Sequence, residues 1–112
     1  MPLLEITCNT AIDDPPSLAQ AASQFTADML GKPESYVMVK VSTQTTLLFA
    51  GTNEPAAHVK LKSLGLPEDR TAEFSESLCN FIESRMAIPP ARIYIEFASP
   101  DRHMWGWDSR TF

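Results

Sequence analysis

The chain has only two cysteines in 112 residues, Cys8 and Cys79, and neither sits in a CxxC pair or at any other metal-ligand spacing. Such sparse usage argues against a disulfide scaffold and a zinc site, and fits two reduced thiols in a cytosolic protein. Glycine is scarce too, four in all, and no phosphate-cradling loop can be drawn around them. A GxSxG elbow and an arguable Cys/His pair are also missing. Basic residues are outnumbered, nine Lys and Arg against fourteen Asp and Glu, for a formal charge of −5. A polyanion would be repelled overall, which argues against nucleic acid or an anionic membrane surface as partner. No apolar run approaches the roughly 20 residues of a membrane span. Met1-Pro2-Leu3-Leu4-Glu5 lacks the cationic start and apolar stretch of a secretory signal. A cytoplasmic protein is expected.

What is present is ordinary for a globular chain: 44% apolar and 21% charged residues, too apolar for disorder. A chain of this length buries about two thirds of its unfolded surface and folds without staples. One domain spanning 1–112 is expected. Leu4, Ile6 and Cys8 alternate with polar neighbours, the period of a half-buried strand. Asp13-Asp14-Pro15-Pro16-Ser17 then caps a helix with its apolar stripe on Leu18, Ala21, Ala22, Phe25 and Met29. Gly31 and Pro33 end it. A second strand is expected over Tyr36–Ser42, and a short third one over Leu47–Ala50.

The second half, about 57–112, repeats the order of the first, about 1–56. Ala57–Leu64 reads as a strand whose His58, Lys60 and Lys62 form a solvated cationic face. A helix follows Gly65-Leu66-Pro67, its buried side on Phe74, Leu78, Phe81, Ile82 and Arg85, and Pro89-Pro90 stops it. Ile93, Ile95 and Phe97 make another strand, and an aromatic tail runs from Met104 to Phe112. The layout predicts an α/β (α+β) fold of two βαβ pseudo-repeats, with a four-stranded sheet and two helices on one face. Two helices leave the other sheet face bare. The scarcity of charge in Tyr36–Val41 and Leu47–Ala50 predicts that another chain covers it, making an oligomer.

Pro2 behind Met1 has two readings. It either stiffens the terminus or, once Met1 is removed, offers a secondary amine in an apolar setting. Such an amine, titrating near ~8 before any shift, can take and return a proton. Lys32, just past Gly31, either complements the helix dipole or holds a substrate carboxylate and lowers the Pro2 pKa. Trp105 and Trp107 are core residues or the wall of an apolar pocket. His103 has no ligand partner at metal spacing, and no metal or cofactor is expected.

Several segments together resemble the macrophage migration inhibitory factor family of the tautomerase superfamily, which includes D-dopachrome tautomerase. They are Met1-Pro2, Gly31-Lys32-Pro33 with Tyr36-Val37-Met38-Val39, Asn53-Glu54-Pro55, and Lys62-Ser63-Leu64-Gly65. Arg92-Ile93-Tyr94-Ile95, Trp105-Gly106-Trp107 and the ending Ser109-Arg110-Thr111-Phe112 complete the set. The resemblance implies a homotrimer with active sites between subunits and ketonisation of phenylpyruvate-like aromatic 2-oxo acids. By residue, Pro2 is the implied base and then acid, and Lys32 and the Leu64 N–H bind the substrate's carboxylate or carbonyl. Tyr94 comes from the neighbouring chain, and Leu3, Tyr36, Trp105, Trp107 and Phe112 form the apolar wall. Glu96 stands in the pocket where the vertebrate factor has asparagine, and Trp105 replaces a smaller aliphatic residue there. The vertebrate CxxC is replaced by Ala56-Ala57-His58-Val59, so thiol–disulfide activity is not implied. Leaderless secretion and receptor binding are further family properties. A non-catalytic cytokine-like trimer and a decarboxylase or hydratase of small acids are the alternative functions.

Overall fold

A computed structural model describes residues 1–112. Strand β1 (Pro2–Cys8) leads into helix α1 (Pro15–Leu30), β2 (Met38–Ser42) and β3 (Ala57–Ser63). Helix α2 (Thr71–Met86), β4 (Ile93–Ala98) and a small terminal pair, β5 (Gly106–Trp107) and β6 (Arg110–Thr111), follow. The main sheet has the order β2-β1-β3-β4. β1 runs parallel to β2 and β3 parallel to β4, while β1 and β3 pair antiparallel at the centre. This is the expected pair of βαβ units joined side by side.

Local chemistry sets the helix ends. The Asp14 carboxylate accepts from the Ser17 N–H at 3.1 Å, and Pro15-Pro16 begin α1 where their missing N–H groups cost nothing. At the other end Gly31 takes φ +63°, with its N–H donating to the Asp28 carbonyl and the Lys32 N–H to the Ala27 carbonyl. That Schellman arrangement fixes where Lys32 leaves the helix. Helix α2 ends on Ala87 at φ 56°, a left-handed conformation that costs a Cβ-bearing residue about 1 kcal/mol.

Both helices cover one sheet face. Leu4, Ile6, Cys8, Val59 and Leu61 meet Leu18, Ala22, Phe74, Leu78 and Ile82 in one core cluster. Phe25 of α1 stacks on Phe81 of α2 at 4.6 Å. Phe74 is fully buried, worth about 2–3 kcal/mol in removed apolar surface. Arg85, expected on the buried side of α2, is exposed over the Phe81 ring; Met86 takes the core position. A guanidinium unpaired in the core would carry a prohibitive desolvation cost, and one residue on lies a flexible apolar side chain.

Two further expectations change. Tyr36 belongs to a 3-10 turn over Glu34–Tyr36, so β2 starts at Met38. Leu47–Ala50 forms no strand in this chain; it bends back through an isolated bridge between Phe49 and Thr52. Side chains hold that bend. The Asn9 amide donates to the Leu47, Asn53 and Glu54 carbonyls, and its oxygen accepts from the Ala56 N–H. The Arg92 guanidinium donates to the carbonyls of Phe49, Thr52, Glu54 and Pro55.

The bare sheet face is not apolar. Register places Lys40, Glu5, Lys60 and Glu96 in one row across the four strands. Lys40 pairs with Glu5 at 3.1 Å, and His58 hydrogen-bonds Glu96. Alternating charge of this kind is at ease in water. Exposed apolar side chains of this face lie on its two edge strands, Met38 (62% exposed) on β2 and Tyr94 (66%) on β4, and Leu48 (67%) lines a cavity with Tyr94. The scarcity of charge noted in the sequence marks the edge strand β2 of that face and the bend beside β4.

Candidate functional site

Three chain segments converge at the end of the sheet where β1 begins. The start of β1 brings Met1 and Pro2, with Pro2 buried against Ser63 of β3. The Schellman turn after α1 brings Lys32. The turn after β3 brings Leu64 and Gly65, closed by the Leu66 N–H on the Ser63 carbonyl at 3.3 Å. Gly65 takes φ +64° in this turn, a conformation that β-turns with Gly third in line require. None of the loop hydrogen bonds is donated by the Leu64 N–H.

The terminal hairpin closes the site. Asp108 and Ser109 both take positive φ, the two-residue turn that matches strand twist. It lays Trp107 parallel to Phe112 at 6.2 Å, and Tyr36 meets Trp107 edge-on at 6.3 Å. The cavity so formed has a volume of about 600 Å³ and is lined by Met1, Lys32, Pro33, Tyr36, Leu64, Gly65, Arg102, Trp107 and Phe112. A neighbouring cavity of about 240 Å³ contains Pro2, Leu3, Met38 and Trp105, and shares Met1, Tyr36 and Trp107 with the first. Met1 therefore stands on the partition between the two.

No acidic residue lines either cavity. Burial, and next the Lys32 ammonium, hold the amino group at the chain start below its ordinary value. Lys62 lies over the Trp105 ring at 5.8 Å. The thiols stand apart. Both are free, Cys8 is buried, and burial followed by the Glu83 charge pushes the Cys79 thiol up, away from nucleophilic character. No group of three or more His, Cys, Asp and Glu side chains is placed to hold a metal ion, and no helix is long and apolar enough to cross a membrane.

Of the residues singled out in the sequence, Lys32, Leu64, Tyr36, Trp107 and Phe112 share the larger cavity, while Pro2, Leu3 and Trp105 line the smaller. Tyr94 and Glu96 of the same chain are elsewhere. Tyr94 is in register with His58 and Thr7, which lies about 16 Å along the sheet from Pro2 at ~3.3 Å per residue. It lines a separate apolar cavity with Leu47, Leu48, Phe49, Ala50, Ala57 and His58, its ring 4.8 Å from Phe49. Glu96 faces the bare sheet side with His58. Arg102 lines the larger cavity without having been singled out; its one sequence signal is a basic pair, Arg102-His103, next to an aromatic tail.

Comparison with known proteins agrees with this fold. A sequence model of the family described as macrophage migration inhibitory factor (MIF) matches residues 1–112. The chain is 32% identical to a macrophage migration inhibitory factor homolog of Trichinella spiralis, covering all of both chains. It is 30% identical to the macrophage migration inhibitory factor of Mus musculus, over all of this chain and 99% of that one. The crystal structure of a macrophage migration inhibitory factor homologue from Prochlorococcus marinus superposes with a TM-score of 0.92 at 41% identity, covering 98% of each chain. With its paired βαβ units, its Pro2 strand and its Lys32 and Trp107 pocket, the chain belongs to the macrophage migration inhibitory factor family and has the tautomerase-superfamily fold.

Proposed function

We propose that this protein is a cofactor-free keto–enol tautomerase of aromatic 2-oxo acids, acting through the amine of Pro2 after loss of Met1. While Met1 is attached, the Pro2 nitrogen is an amide and cannot accept a proton. Once freed, it is a secondary amine on a buried residue, one position from the Met1 amine that burial and the Lys32 charge lower, and the same two causes act on it in the same direction. A lowered pKa leaves more of it neutral and able to act as a base near neutral pH. The observation that carries the reading is the convergence of that amine, an unpaired lysine, an unoccupied N–H at Leu64 and an aromatic box on adjoining cavities with no acidic lining.

The chemistry is a 1,3 proton shift. The Pro2 nitrogen takes a proton from the carbon next to the carbonyl, and the C–H electron pair becomes the enol double bond. Charge moves to the carbonyl oxygen, which the Leu64 N–H stabilises. In that keto-to-enol direction protonated Pro2 delivers the proton to the oxygen. In the enol-to-keto direction the Pro2 nitrogen takes the enol O–H proton and the conjugate acid delivers it to carbon. Lys32 holds the carboxylate, and Tyr36, Trp107 and Phe112 face the aromatic end while Leu3 and Trp105 close the rear.

The working unit is a homotrimer. Apolar edges on opposite sides of one chain suit a head-to-tail contact, which closes into a three-membered ring where successive subunits are related by a rotation of about 120°. That contact carries Tyr94 of one subunit, and Glu96 near it, to the Pro2 end of the next, a distance neither spans within its own chain. The test is the enol-to-keto conversion of phenylpyruvate by Pro2→Gly, which keeps a primary amine but loses the ring. Loss of roughly tenfold or more supports the reading. Full activity in the variant sinks it, and with no conversion by either protein a non-catalytic interaction protein becomes the better description.

A further inference from the structure

The nine Lys and Arg side chains of this acidic protein are mostly spoken for. Lys40, Arg70 and Arg110 have carboxylate partners, and Lys60 lies between Glu5 and Glu96 in the sheet register. Lys62 and Arg85 lie over aromatic rings, and Arg92 donates to four carbonyls. Lys32 and Arg102 remain, with neither an acidic partner nor a ring, in a chain that has five more acids than bases. Both line the same cavity. Arg102 also lines an adjoining hollow of about 290 Å³ with Trp107, Arg110, Thr111 and Phe112, so it marks the rim remote from Lys32. Its backbone is tied down: the Arg102 carbonyl accepts from the Trp105 N–H at 3.2 Å, and the Trp105 carbonyl accepts from Phe112 at 3.1 Å.

Two unpaired cations at one aromatic cavity to which the same chain contributes no Asp or Glu side chain describe a receptor for a ligand with two anionic ends. We propose that Arg102 is a second anion-binding group and sets specificity. The preferred substrate is then a 2-oxo acid whose far end carries another carboxylate or an equivalent anionic group. Lys32 takes the 2-oxo carboxylate, the Trp107 and Phe112 rings flank the middle, and the Arg102 fork takes the distal anion. The substrate identity rests on the tautomerase reading above; the second anion site does not.

The test uses the Met1-free protein and two substrates, phenylpyruvate and para-carboxyphenylpyruvate, with the ratio of their kcat/KM values as readout. The expected preference for the dianion is about tenfold, one charge-assisted contact at a partly exposed site, and it weakens as salt screens it. Arg102→Gln brings the ratio to near one, while Arg102→Lys, keeping the charge, retains it within about threefold. A ratio near one in the parent protein, or an unchanged ratio in Arg102→Gln, overturns the proposal. Calorimetric binding of para-carboxycinnamate against cinnamate separates it from the tautomerase reading. If neither substrate turns over, the catalytic reading fails, and the anion site stands on tighter dianion binding that Arg102→Gln abolishes. Equal binding of the two cinnamates removes it.

Discussion

Replacing Arg92 with methionine keeps most of the aliphatic stem and removes every donor from the bend over residues 47–56. In the parent chain Nε donates to the Pro55 carbonyl at 2.9 Å, and the terminal nitrogens reach Glu54 at 3.1 Å, Phe49 at 3.2 Å and Thr52 at 3.4 Å. The guanidinium also lies 5.1 Å from the Phe49 ring centre. Two of these hydrogen bonds are short and two are long. Each charged contact is worth about 1.5–3 kcal/mol when its partner is left dry. The bend is largely exposed, so water takes over the freed carbonyls, and four contacts through one group do not add. The net loss expected is therefore about 2–3 kcal/mol. For a domain near this size roughly 4 °C accompany each kcal/mol, which predicts a fall in Tm of about 8–12 °C. Urea unfolding followed by circular dichroism measures the loss. Hydrogen exchange at the Phe49 and Thr52 amides, which bond each other's carbonyls at 3.0 and 3.1 Å, locates it. Arg92→Lys restores less than half, since a point charge cannot span the four carbonyls. A loss below about 0.5 kcal/mol, or unchanged exchange at those two amides, refutes the view that Arg92 holds the bend.

Other outcomes follow from the same geometry. Lys32→Gln raises KM for phenylpyruvate about tenfold by losing one charged contact at an exposed side chain. The same change removes the second of the two influences that lower the Met1 amine, an influence proposed above to act also on the freed Pro2 amine. Its pKa rises, and because the neutral amine is the working base, the acid limb of the pH–rate profile moves to higher pH. An unmoved limb contradicts Lys32 as a tuning charge. Ala87→Gly relieves a left-handed φ of 56° and raises stability by about 0.5–1 kcal/mol in urea unfolding, after the greater unfolded-state freedom of glycine is deducted. A destabilised variant would show that the Ala87 methyl packs favourably.

Strand and helix periodicity were legible in the sequence because one sheet face and two helix stripes are buried, which forces period two and period 3.6 on the apolar residues. The Gly31-Lys32-Pro33 turn was legible for the same kind of reason: a left-handed cap has few solutions. Leu47–Ala50 misleads because its apolar side chains, alternately half-buried and exposed, imitate strand periodicity while Asn9 and Arg92 bend the backbone from 37 residues or more away. Nothing local announces such long-range clamps. In the sequence the terminal hairpin reads only as an aromatic tail, since Asp108-Ser109 lacks the glycine that usually signals a two-residue turn. Arg102 escaped because a lone exposed arginine gains meaning only beside the cavity that it lines. The −5 charge was informative in the end, because it makes cations without partners rare enough to point to a site.

Everything proposed for catalysis depends on a free nitrogen at Pro2. The direct measurement compares two preparations of the same chain, one with Met1 removed and one retaining it, each verified by intact mass and assayed for enol-to-keto conversion of phenylpyruvate. Loss of the general base predicts that the Met1-retaining form is slower by about a hundredfold or more, with both forms equally folded. Equal rates in the two preparations contradict Pro2 as the base.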